Sequence, residues 1–183
     1  MIVTVDGIVA VGKSTMCKVF QAIFQALSYN CQCLSESYDP ELLKLYIDDP
    51  PTYVEQWTRD ITKRKISTYR KAQSFQGLSI IDRSYIGDLA ISLLRVRRGE
   101  MSQELYQQQV DLFKEVEELE VNARILFTCT PAEALERCKK RSRDGESVYD
   151  IYYFEQQHQC HLELISNSNH SWTTISLSQL ELQ

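Results

Sequence analysis

Apolar residues fall into two rhythms along this chain, and the rhythms alternate from one end to the other. Short runs in which nearly every position is apolar read as strands buried on both faces. Longer stretches with apolar positions three and four apart read as helices with one buried stripe. Residues 1–5 (Met-Ile-Val-Thr-Val) make the first strand and residues 14–27 the first helix. Residues 31–35 make a second, short strand that ends at Glu36. Asp39-Pro40-Glu41 has the form of a helix cap, a proline at the first helical position and an acidic first turn, which predicts a helix to about residue 47. Asp49-Pro50-Pro51 breaks it. Thr52 and Glu55 have capping-box spacing and open a long helix to about residue 75, ended by Gly77.

Residues 78–81 (Leu-Ser-Ile-Ile) form a buried strand followed at once by Asp82-Arg83-Ser84. Helical patterns run to about residue 98 and, after Gly99, over residues 102–119. Residues 122–128 form a fourth strand. Thr130-Pro131-Ala132-Glu133 then combines a cap, a proline at the first helical position and a capping-box glutamate, so a helix begins near Pro131. Asp144-Gly145 breaks the pattern, a helix follows over about residues 149–166, and residues 172–177 make a fifth strand. Strands alternating with helices predict an α/β fold: one domain over residues 1–183, a three-layer α/β/α arrangement around a five-stranded parallel sheet, with ligands at the C-terminal ends of the strands.

Composition narrows the function classes. A length of 183 residues with 43% hydrophobic and 25% charged positions is ordinary globular usage. A net charge of -5 lacks the basic footprint of a protein whose main task is to bind nucleic acid or an anionic membrane, so neither is an expected partner. The six cysteines have no paired C-x-x-C arrangement and fall inside predicted strands and helices, which reads as buried thiols in a reducing compartment. No apolar run is long enough to span a bilayer, and the start leads directly into a strand, so the expectation is a soluble, cytoplasmic protein.

The candidate chemistry lies at the predicted strand ends. Gly7-Ile8-Val9-Ala10-Val11-Gly12-Lys13-Ser14, followed by Thr15, matches the phosphate-binding pattern G-x-x-x-x-G-K-[ST] between a strand and a helix. Its glycines let backbone N–H groups line a concave nest, Lys13 adds a cation, and Ser14 offers a hydroxyl to magnesium. The helix start aims its unpaired N–H groups and positive dipole end at the anion. ATP and Mg²⁺ are the expected ligands of a P-loop fold of this kind. Asp82, ending an apolar strand, stands where a P-loop enzyme holds magnesium, with Arg83 beside it to meet phosphoryl oxygens or the acceptor hydroxyl. Glu36 remains as the base for the nucleophile. Arg137, Lys139, Lys140, Arg141 and Arg143 crowd one helix end before a glycine turn, as in a lid over residues 137–148 that brings guanidinium groups to the phosphates.

With these residues in place the chain resembles the deoxyribonucleoside kinase family, which includes deoxycytidine, deoxyguanosine and mitochondrial thymidine kinases. The phosphate loop, Glu36 after the second strand, and Asp82-Arg83-Ser84 in place of a Glu-Arg-Ser motif carry the resemblance. So do Arg137, Arg141, Arg143 and Glu146, followed by Tyr153-Phe154-Glu155-Gln156-Gln157-His158 in place of Tyr-Leu-Glu-x-Leu-His. The resemblance implies that Arg137 and Arg141 contact ATP and that Tyr46 and Glu146 hold the sugar 3'-hydroxyl. It further implies that Gln56 pairs with the base edge and that Lys63 and Asp88 lie near the base. A homodimer is implied too, and the compact length is similar to that of viral members, which would act in a host cytoplasm. The departures are Asp82 for the usual Glu, Ser37 for a Pro, and an abbreviated stretch between Glu36 and Tyr46.

The reading is therefore a nucleoside kinase that uses ATP and magnesium to phosphorylate the 5'-hydroxyl of thymidine, deoxycytidine or purine deoxynucleosides. Its nearest rival is a nucleoside monophosphate kinase of the thymidylate kinase type, which needs cations rather than a carboxylate at the acceptor. A regulatory GTP-binding switch is disfavoured, because no N-K-x-D motif occurs. Trp57 and Phe75 read equally as core or as base-stacking aromatics. His158, His161 and His170 have no clustered carboxylate partner and are not metal ligands in this reading.

Overall fold

The computed structural model describes residues 1–143, 145–146 and 148–178. Five parallel strands, β1 (Ile2–Asp6), β2 (Cys31–Leu34), β3 (Leu78–Asp82), β4 (Ala123–Thr128) and β5 (Thr173–Ser176), pair in the order β2-β3-β1-β4-β5. The helices are α1 (Lys13–Ala26), α2 (Pro40–Asp48), α3 (Pro50–Ser74), α4 (Tyr85–Arg97), α5 (Gln103–Glu117), α6 (Pro131–Arg141) and α7 (Ile151–Asn167). Alternate strand residues point to opposite faces. Ile2, Leu34 and Ile81 pack with α3, α4 and α5, while Val5, Cys31 and Ile80 pack with α1 and α6. Buried on both faces, β3 has no exposed position, which is why its apolar residues Leu78, Ile80 and Ile81 occupy both faces.

The expected elements all form. Thr130 and Glu133 make the reciprocal capping box at the start of α6, with Pro131 in the first turn. One boundary differs. The cap of α3 is Asp49, whose carboxylate accepts the Thr52 N–H at 3.4 Å, so Thr52 lies inside the first turn rather than at the cap. Pro50 takes the first helical position, where no N–H is needed, and Asp49 alone separates α2 from α3. All six cysteines are free thiols, five of them buried. No helix among the described residues is long and apolar enough to cross a membrane.

The sheet order places β3 and β4 on either side of β1, so the crevice above the β1 C-terminus lies at the centre of the sheet. The phosphate loop emerges there. Gly7 has φ of 140°, and a Cβ at this position would stand 2.3 Å from the Phe127 carbonyl oxygen, so the close pass of the loop over β4 requires glycine.

Candidate active site

Loop, strand ends and helices enclose a cavity of about 600 Å³. Val9, Ala10, Lys13 and Ser14 line one end, and Glu36, Asp82 and Arg83 stand at the middle. Tyr46, Trp57, Asp88 and Arg95 line the other end, while Arg141, Arg143 and Glu146 close over the top. Residues far apart in sequence thus meet as the strand-end argument expects.

Lys13 is buried and donates to the carbonyl oxygens of Gly7 and Ile8, both at 2.9 Å. Burial, with Arg83 nearby, lowers its pKa to about 8 against the opposing pull of Glu36, Asp82 and Asp6. Gly12 caps α1 in the left-handed region, with φ of 113°, which turns the chain into the helix at the foot of the nest. Ser14 is exposed to the cavity, whereas Thr15 is exposed but does not line it. Asp82 is buried, and its Oδ1 has no hydrogen-bond partner among the described residues. A serine hydroxyl and one buried carboxylate oxygen that lacks a donor, both facing a phosphate cradle, form a donor set suited to magnesium, which keeps most of its ligands as water and phosphate oxygen.

The turn after β3 is strained and firmly held. Arg83 has φ of 67°, a left-handed conformation unusual for a side chain of this size. Its N–H donates to the Val5 carbonyl at 2.8 Å and its carbonyl accepts from Lys65 Nζ at 2.6 Å. The next N–H, of Ser84, donates to the buried carboxylate of Asp6 at 3.1 Å, and the Ser84 hydroxyl caps α4. Gly87 is required at this place, because a Cβ there would lie 2.2 Å from Asp6 Oδ1. The strained turn aims the Arg83 guanidinium at Glu36, and the two form an ion pair. Desolvation pushes the Glu36 pKa upward, but Arg83, Lys65, Lys13 and Arg143 together hold it below the ordinary value, so it stands ionised.

At the far end the Tyr46 and Trp57 rings stack with centroids 5.5 Å apart and planes 8° from parallel, and the Arg95 guanidinium lies 4.9 Å over Tyr46. Trp57 thus walls the cavity, whereas Phe75 caps the distant end of α3 and does not. Asp88 lies 3.6 Å from Lys65 Nζ, and burial raises its pKa to about 6 despite Lys65 and Arg83. Above them Glu146 accepts from Arg141 Nε at 3.2 Å and from Cys138 Sγ at 3.3 Å. Gly145, with φ of 77°, brings the turn after α6 against Ile47 of α2.

Of the expected residues outside the phosphate loop, Gln56, Lys63 and Arg137 do not line the cavity. Gln56 and Lys63 are exposed on another side of α3 and line a shallow surface depression with Arg59 and Asp60. Thr58 and Lys65, two positions further on at the same seven-residue spacing, do face the cavity, because Trp57, Thr62 and Ile66 set the buried side of the helix. Arg137 is outside the cavity and spends its guanidinium on the Val11 and Leu177 carbonyls at 3.0 and 3.2 Å, bracing the loop against the end of β5. Arg64, Lys65, Arg95 and Gln109 line the cavity without having been singled out. The basic run of α3 carries the first two, but nothing in its sequence marks which of its cations turn inward. His161 is fully buried, with burial driving its pKa down to about 3, and its Nδ1 bonds the Gln157 carbonyl at 2.9 Å in the core.

Comparison with known proteins identifies the family. The model of the deoxynucleoside kinase family matches residues 3–183. Curated proteins give no match. Among solved structures, deoxyadenosine kinase from M. mycoides with the products dCMP and a flexible dCDP bound superposes with a TM-score of 0.78 at 20% identity, covering 97% of this chain and 90% of that one. The same enzyme with bound dATP gives 0.74 at 20% identity, covering 97% and 91%, and with bound dCTP 0.73 at 18%, covering 97% and 90%. At such identities the superpositions show a shared fold, and the family match carries the rest: the chain belongs to the deoxynucleoside kinase family.

Proposed function

We propose that this deoxynucleoside kinase binds ATP at the phosphate loop and seats its nucleoside between the Tyr46–Trp57 wall and α4, with the sugar 5'-oxygen beside Glu36. The observation that carries the assignment is the position of Glu36 and Arg83, which face each other midway between the phosphate cradle and the aromatic end of one cavity. In the transfer the 5'-oxygen bonds to the γ-phosphorus as the bond from that phosphorus to the β,γ-bridging oxygen breaks, and the hydroxyl proton passes to a Glu36 oxygen. Arg83, freed from Glu36 as the latter takes the hydroxyl, meets the oxygens of the transferring group together with Lys13, Arg141 and Arg143. Ser14 and Asp82 would hold magnesium, which would supply positive charge against the phosphate oxygens. Tyr46 and Glu146 border the place of the sugar and take the role of 3'-hydroxyl partners. The M. mycoides enzyme, of the same fold, carries dATP, dCTP or dCMP. Ligands of that size suit this cavity.

Family membership favours a nucleoside acceptor over a nucleotide one, and so does a carboxylate at the acceptor position, which would repel a 5'-phosphate. A coupled ADP-release assay with the four deoxynucleosides and with thymidine monophosphate tests this. Turnover of at least one deoxynucleoside and none of the monophosphate is the expected result; the reverse pattern would give the site to a monophosphate kinase.

A further inference from the structure

Gln109 on α5 is buried, lines the cavity and belongs to none of the motifs that place the phosphates or the sugar. Its contacts fix which way its amide points. The Thr62 hydroxyl spends its single proton on the Thr58 carbonyl at 2.7 Å, so toward Gln109 it can only accept, and it receives the Gln109 Nε2 proton at 3.1 Å. Oε1 is therefore the free end of the amide, and it has no hydrogen-bond partner among the described residues. On α4, Asp88 Oδ2 likewise lacks a hydrogen-bond donor, although Lys65 stands 3.6 Å away. The floor at the aromatic end of the cavity thus holds two buried acceptors from two helices, and burying an acceptor without a donor is costly. On α3 the cavity-facing residues, Trp57, Thr58, Ile61, Arg64, Lys65 and Thr68, include no amide, and Gln56 is exposed.

We infer that Gln109 reads the nucleobase through its Oε1 and favours cytosine or adenine, whose amine stands where thymine presents O4, over thymine. The inference rests on reading this end of the cavity as the nucleoside pocket. The amine of cytosine or adenine supplies N–H donors to these oxygens, whereas the corresponding thymine edge presents the O4 acceptor, which would face acceptors and leave them unpaired. Lys65, hydrogen-bonded to the Arg83 carbonyl and close to Asp88, links base recognition to the turn that aims Arg83.

The test measures kcat/KM with ATP for deoxycytidine, deoxyadenosine and thymidine. The wild-type enzyme is expected to favour an amino-bearing nucleoside over thymidine by about tenfold or more. Gln109→Met, which keeps the length and removes the acceptor, is expected to lower kcat/KM for the favoured nucleoside about tenfold, mainly through KM, and to leave thymidine within about twofold. Gln109→Asn, which withdraws the amide by one methylene, tests the same point should the methionine variant fail to fold. Preference for thymidine in the wild type, or equal losses on all nucleosides in the variants, would overturn the inference while leaving the kinase reading intact. Failure of the wild type to phosphorylate any deoxynucleoside would instead overturn the pocket assignment, and the inference with it.

Discussion

The amide N–H of Val9, inside the phosphate loop, donates to the Oε1 of Gln157 at 2.9 Å, both groups being buried. Gln157 belongs to α7, so one side chain ties the loop between β1 and α1 to the element that follows the turn after α6. Replacing it with leucine would leave the Val9 N–H buried and unpaired, a loss of about 1–3 kcal/mol. Gln157→Leu is expected to lower Tm by several degrees and to raise KM for ATP severalfold, with KM for the nucleoside unchanged. Steady-state kinetics with each substrate varied in turn checks the split. A parallel rise in both KM values would show general loosening instead.

Glu36 is ionised because the surrounding cations outweigh its desolvation. Glu36→Gln keeps the shape and a hydrogen bond to the 5'-hydroxyl but cannot take its proton. Turnover is expected to fall by about 10²-fold or more, the usual scale for a general base, with nucleoside binding retained. Single-turnover kinetics and equilibrium binding separate the two, and near-normal turnover would remove Glu36 from the base role.

Lys13 titrates near pH 8 in the free protein. Its folded pKa lies below its ordinary one, so the charged form is lost as pH rises through about 8, and the attraction for phosphate goes with it. Dissociation constants for ATP measured between pH 7 and 9.5 are expected to rise with a midpoint near 8. Lys13→Arg, whose side chain stays charged, is expected to flatten that rise.

Asp88 has the opposite sign. Its carboxyl faces Lys65, Arg83, Glu36 and Asp6, and burial raises its pKa to about 6. The folded state therefore binds this proton more tightly than the unfolded chain, and stability rises as pH falls from about 6 towards 4. Over the same range the carboxylate is lost, so affinity for an amino-bearing nucleoside is expected to drop. Asp88→Asn should remove both trends, which thermal melts and nucleoside titrations at pH 5 and 7.5 would reveal.

Glu146 accepts from Arg141 and faces the cavity beside Tyr46. If it holds the 3'-hydroxyl, Glu146→Gln should weaken binding of a 2'-deoxynucleoside severalfold and leave binding of its 2',3'-dideoxy analogue unchanged. Equal effects on both would leave Glu146 only its pairing with Arg141.

Much of this site is legible in the chain because its parts are local. The phosphate loop is one continuous segment, and Glu36 and Asp82-Arg83-Ser84 follow directly after apolar strands. Strand-then-residue order is enough to place a group at the C-terminal edge of a parallel sheet. Sequence periodicity likewise determined the elements, down to the Thr130–Glu133 capping box. What it left open is rotation about α3. A shift of two residues along a helix turns a side chain by about 200°, so Gln56 and Lys63 point outward where Thr58 and Lys65 point inward. That phase was set by how Trp57, Thr62 and Ile66 pack against neighbouring elements. Gln109 was invisible for a similar reason: its meaning depends on a hydrogen bond to Thr62, 47 residues earlier. The sequence by itself determined the glycine-rich loop between β1 and α1 and which acids and arginine stand beside it at the strand ends. Only tertiary packing decided which helix faces line the cavity, because facing is a relation between elements and not a property of either one.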